Sequence, residues 1–91
     1  MKYKLKRDYV ELGAMLQKRR QKLGLTQKQI ADALGYSSGQ FLSNFERGIA
    51  RPPLKKLKWL CKRYSLPPQS VARLIGESER KRALEALRGR Q

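Results

Sequence analysis

Leu25-Thr-Gln-Lys-Gln-Ile-Ala-Asp-Ala-Leu-Gly35, with Gln40-Phe-Leu-Ser-Asn-Phe-Glu-Arg-Gly48 close behind it, decides the fold. Thr26 with Gln29 three residues later has the pattern of a capping box, in which hydroxyl and amide satisfy the first main-chain N–H groups of a helix. Ile30, Ala31 and Leu34 then form one buried face, and Gly35 ends the helix by accepting the left-handed conformation. Ala31 is small where two helices must cross closely. Ser37 or Ser38 is expected to cap the next helix, at about 38–47, with Leu42 and Phe45 facing inward and Gly48 closing it. Two short helices around a tight glycine turn result, and the second is polar on the face its apolar residues leave free.

Upstream, Asp8 and Glu11 read as a second capping box, opening a helix to about Leu23 with Leu12, Met15, Leu16 and Leu23 inward and Gly24 at its end. Downstream, Arg51-Pro52-Pro53 leads into a fourth helix carrying Leu54, Leu57, Leu60, Cys61 and Tyr64. Leu66-Pro67-Pro68 breaks the chain, and Val71, Leu74 and Ile75 begin a fifth helix. Glu77–Arg88 has good helix formers but a thin apolar stripe of Ala83, Leu84 and Leu87, as in a frayed or partner-dependent helix. The expected organisation is a basic arm at 1–7, a compact all-α five-helix domain at 8–76, and a basic tail at 77–91 that adds a helix if it orders.

Composition narrows the function. Lys and Arg number 22 against 7 acids, a net charge of +15, which draws polyanions to the surface and says little about fold. Residues 51–66 carry Arg51, Lys55, Lys56, Lys58, Lys62 and Arg63 without an acid, and Lys18, Arg19, Arg20 and Lys22 crowd the end of the first helix. The chain has no His and a single Cys61, which excludes a zinc finger, a disulfide within the chain and a His-dependent active site. No metal or cofactor is expected, and no enzyme: paired carboxylates and a phosphate-binding glycine loop are missing too. No apolar run reaches the ~18 residues of a membrane span. The expected setting is cytoplasmic and reducing.

These features define a helix-turn-helix, in which one helix braces and the next enters the DNA major groove. The chain resembles the Cro/repressor type, the xenobiotic-response-element family of small regulators. The resemblance rests on Lys18-Arg-Arg-Gln-Lys-Leu-Gly-Leu-Thr-Gln27, Gly35, Phe45-Glu-Arg-Gly48, and Leu57 onward through the Ser65-Leu-Pro-Pro-Gln-Ser-Val71 break. It implies a lambda-repressor-like bundle in a bacterial or phage-encoded protein associated with the nucleoid. One departure is an extra residue among Tyr36–Gly39.

Gln40 and Asn44 lie four apart on one helical stripe. Each presents a donor and an acceptor together, the match for adenine N6 and N7. Ser43 and Ser38 join them as base-contacting candidates. Arg47, Arg51 and Lys55 follow the recognition helix as phosphate clamps. The family resemblance implies a phosphate contact at Gln27, and an ion pair between Arg20 and Glu46 that also orients Arg20 toward phosphate. Phe41, Phe45, Trp59 and Tyr64 fit core packing better than base stacking, with Phe41 the alternative case, at the rim of the groove within reach of a thymine methyl. Cys61 reads as a buried small apolar residue.

The leading functional expectation is a transcriptional regulator, a repressor, binding double-stranded DNA as a homodimer. Helix 5 and the tail, with Leu84 and Leu87, are candidate dimer or protein-partner surfaces. Two alternatives stand beside it. One is an antitoxin bound to a toxin and repressing its own operon. The other is a nucleoid protein of low sequence preference, favoured by the charge.

Overall fold

A computed structural model of the chain describes residues 9–88, leaving aside the side chains of 81–83, 85, 86 and 88. Five helices follow one another: α1 (Val10–Lys22), α2 (Gln27–Ala33), α3 (Gln40–Glu46), α4 (Leu54–Tyr64) and α5 (Pro68–Arg88). No strand occurs among the described residues. The fold is the expected all-α bundle.

Local chemistry sets most helix ends. The α2 capping box forms as anticipated: Gln29 N donates to Thr26 Oγ1 at 3.0 Å, and Thr26 N donates to Gln29 Oε1 at 2.8 Å. Gly24, Gly35 and Gly48 all carry positive φ, the conformation for which glycine has no Cβ penalty. The cap of α3 differs from expectation. Gly39 stands at the N-cap, and Ser38 Oγ accepts only a 3.3 Å bond from Gln40 N. The helix starts past both serines. Asp8, the expected cap of α1, and the arm at 1–7 lie outside the described residues. Tyr9 is the N-cap of α1, without a side-chain capping bond.

The core gathers Leu12, Leu16, Ile30, Ala31, Leu34, Leu42, Phe45, Leu57, Leu60, Tyr64, Leu66 and Val71. Leu23, expected inward, is exposed because it sits past the last turn of α1 at the C-cap. Phe45 and Tyr64 are buried and Trp59 is half-buried, whereas Phe41 is exposed. Cys61 is half-buried on an apolar groove of about 320 Å³ between α4 and α5. Burial pushes its thiol pKa up, away from the thiolate a nucleophile needs.

Helix α5 takes in residues 77–88 of the basic tail. It starts at Pro68 and runs unbroken through Gly76 to Arg88, so no separate C-terminal helix follows it. Pro68 suits a first helical turn, and a mid-helix glycine costs only ~1 kcal/mol relative to alanine. Strong helix formers after Gly76 carry the helix on. Among the described residues, no helix is long and apolar enough to cross a membrane.

α1 packs chiefly on α3, and two glycines permit it. A Cβ on Gly13 would lie 2.5 Å from the carbonyl oxygens of both Phe45 and Glu46. A Cβ on Gly48 would lie 2.6 Å from Val10 Cα, while Tyr9 N donates to Gly48 O at 3.1 Å. On the far side of α1, Arg19 Nη1 donates to Tyr64 O at 2.7 Å, closing the carbonyl end of α4.

The Tyr64 hydroxyl is buried without a hydrogen-bond partner. Burial, reinforced by the Glu46 charge and opposed by Arg20 and Arg63, pushes its pKa up from 10.0 to about 12. A phenol held protonated this way stabilises the fold below its unfolded pKa, and that contribution is lost as pH climbs from ~10 to ~12. Tyr64→Phe is therefore expected to match or exceed the parent in urea unfolding at pH 8, since an unsatisfied hydroxyl is removed. It should also lose less stability between pH 10 and 12. An equally steep alkaline loss in both proteins contradicts this account.

Candidate nucleic-acid interface

The second helix of the pair, α3, is only seven residues long and is held from behind by a buried ion pair. Arg20 Nε donates to Glu46 Oε2 at 2.6 Å and Arg20 Nη2 to Glu46 Oε1 at 3.0 Å, the two-pronged geometry that matches guanidinium to carboxylate. Arg20 Nη1 donates to Leu25 O at 2.7 Å. Gln27 Nε2 adds a bond to Glu46 Oε1 at 2.9 Å. Arg20 is 8% exposed and Glu46 5%. The hydrogen bond to Glu46 raises the Arg20 pKa further above its ordinary value. One carboxylate thus ties the end of α3 to α1 and to the start of α2.

This network turns Arg20 inward, so its charge serves the fold. A phosphate contact, which the family resemblance implies for Arg20, would draw on a guanidinium already bonded to Glu46 and to Leu25 O. Gln27 is half-buried, with its amide nitrogen committed to Glu46.

Leu42, Phe45 and Glu46 form the buried face of α3. Gln40 and Asn44 share the opposite stripe, where Gln40 Nε2 donates to Asn44 Oδ1 at 3.0 Å. That bond aligns two amides while leaving an acceptor on Gln40 and a donor on Asn44 for a base edge. Gln40 is exposed, Asn44 and Ser43 are half-buried, and Ser38 is exposed just before the helix.

Cations surround this face unevenly. Arg47 and Lys55 are exposed. Arg51 is half-buried: its Nη1 donates to Pro52 O at 3.2 Å and its Nε lies 3.4 Å from Glu79 Oε2 on α5. Glu79 also accepts from Tyr9 Oη at 3.0 Å, so one α5 carboxylate gathers the start of α1 and the α3–α4 loop. Nothing local pairs residues so far apart in the chain, and the sequence carried no signal of it.

A second feature escaped sequence reasoning. The Tyr36 and Phe41 rings stack at 4.3 Å with 13° between planes, and Lys56 Nζ lies 4.8 Å from the Tyr36 centroid. Lys56 is itself held by Leu34 O at 2.7 Å.

A short bracing helix, a glycine turn and a second helix with a polar outward stripe define a helix-turn-helix DNA-binding protein. The chain belongs to the family described as Helix-turn-helix domain, whose model matches residues 11–74. No curated protein and no solved structure matches it.

Proposed function

We propose that this protein is a sequence-specific transcriptional regulator of the Cro/repressor type, a repressor that binds an operator as a homodimer with α3 in the major groove. The observation that carries the reading is the outward Gln40–Asn44 amide pair on a helix clamped by Arg20 and Glu46. A rigid helix presenting aligned amides is equipped to read adenine edges. Ser43 and Ser38 flank the pair and complete the proposed base-reading set. Arg47, Arg51 and Lys55 are assigned to phosphates, as is Gln27 through its main-chain N–H at the start of α2. Arg20 is left to Glu46.

Two half-sites supply the specificity that one short helix lacks. Exposed Leu84 and Leu87 on α5, with the apolar groove between α4 and α5, support the homodimer. The protein acts by binding, without catalysis. Its +15 charge favours a second reading, low-preference coating of DNA.

Selection from randomised duplexes at ~150 mM salt separates the two. An inverted repeat is the expected product, and retention without a motif supports coating instead. On the recovered site, Asn44→Ala or Gln40→Ala is expected to cost between about 1 and 3 kcal/mol, with little change on random DNA. Equal losses on both remove these residues from base reading. Neutralising about 6–10 phosphates gives a log K against log salt slope of about −5 to −9, and Lys55→Ala should shallow it by about one per contact.

A further inference from the structure

Phe41 is an apolar ring on the helix assigned to DNA, and it is 46% exposed. At about 100° per residue it stands between the outward Gln40–Asn44 stripe and the buried Leu42–Phe45 face. The core therefore does not claim it. Its ring is nonetheless held still: one face stacks on Tyr36, and Tyr36 is held from elsewhere by Lys56 and by the tilted ring of Phe45 at 6.0 Å. Leaving so large an apolar group in water costs stability, and fixing its orientation adds order that packing alone does not need. Both features suit a surface that meets an apolar partner.

The floor of the major groove offers one apolar group, the methyl on C5 of a pyrimidine. We infer that the Phe41 ring, pre-ordered by Tyr36, reads a C5-methyl-pyrimidine at the edge of the site. This rests on the proposed entry of α3 into the major groove. The Gln40–Asn44 pair then reads an adenine edge while Phe41 reads the methyl next to it. Because the stack exists before binding, little side-chain freedom is lost in making the contact.

The same C5-methyl occurs in thymine and in 5-methylcytosine, and modified pools tell them apart. Randomised duplex pools are synthesised with thymidine, with deoxyuridine in its place, and with deoxyuridine plus 5-methyldeoxycytidine replacing deoxycytidine. Each is selected by the full chain at the same salt. The motif recovered from the thymidine pool is then rebuilt with single exchanges. Removing the methyl at the read position should weaken binding about fourfold per contacted methyl.

A preference for thymine over uracil alone assigns thymine as the ligand. An added preference for 5-methylcytosine over cytosine assigns the methyl on either base. Phe41→Ala should level both preferences while keeping the rest of the motif, and Phe41→Leu should retain part of them. Equal binding of methylated and unmethylated sites by the parent overturns the inference, as does a preference that survives Phe41→Ala. Retention without any motif overturns the proposed function and takes this inference with it.

Discussion

Glu46→Ala is expected to lower stability by about 3–5 kcal/mol, the range for removing one partner of a buried ion pair. The loss has three parts. Arg20 keeps its bond to Leu25 O but loses both bonds to carboxylate, leaving its charge buried without an opposing one. Gln27 Nε2 loses its acceptor. The end of α3 loses the tie that sets it against α1 and α2, so specific DNA affinity should fall along with stability. Glu46→Gln keeps the shape and one acceptor and should fall between parent and alanine.

Exposure separates this pair from an ordinary one. Lys28 Nζ lies 2.8 Å from Asp32 Oδ1, but those side chains are 64% and 57% exposed. Lys28→Ala should therefore change stability by no more than about 0.5 kcal/mol, and salt should erase even that. The Glu46→Ala deficit should persist in salt, because burial shields the pair from screening. Urea unfolding at low and high salt reads both. A Glu46→Ala loss as small as that of Lys28→Ala overturns the role of the clamp.

The elements legible from sequence are those built from contacts a few residues apart. The α2 capping box joins residues three apart, and Gly24, Gly35 and Gly48 mark helix ends because left-handed backbone is a single-residue property. Leu42 and Phe45 face inward because a spacing of three keeps them on one side of a helix. Gln40 and Asn44 share a face for the same reason.

What stayed hidden depends on long-range packing. Arg19 belongs to a basic run by sequence, yet its partner is the carbonyl end of α4, 45 residues away. Glu79 gathers Tyr9 and Arg51 across the bundle. Gly76 stands at the expected end of the compact domain at 8–76. Here its φ is not positive, nothing lies near its Cβ position, and α5 passes through it. Gly13 was invisible, since its importance lies in the backbone of α3.

Those last two glycines carry opposite expectations for the same substitution. In both places alanine is the better helix former by ~1 kcal/mol, so propensity alone predicts that both variants gain stability. Gly76→Ala should do so, because its added methyl meets open space. Gly13→Ala should instead lose about 3 kcal/mol or more, at the upper end for overpacking. The carbonyl oxygens of Phe45 and Glu46, each 2.5 Å from the new Cβ, belong to main chain and have no alternative rotamer. Relief then requires α1 and α3 to move apart, which strains the nearby Arg20–Glu46 geometry and tilts the proposed recognition helix. Urea midpoints with unchanged m-values read the stability, and affinity for the selected duplex reads the tilt. Gly13→Ala should lower both, whereas Gly76→Ala should raise the first and leave the second alone. A gain in stability at Gly13 matching that at Gly76 contradicts the close seam between α1 and α3.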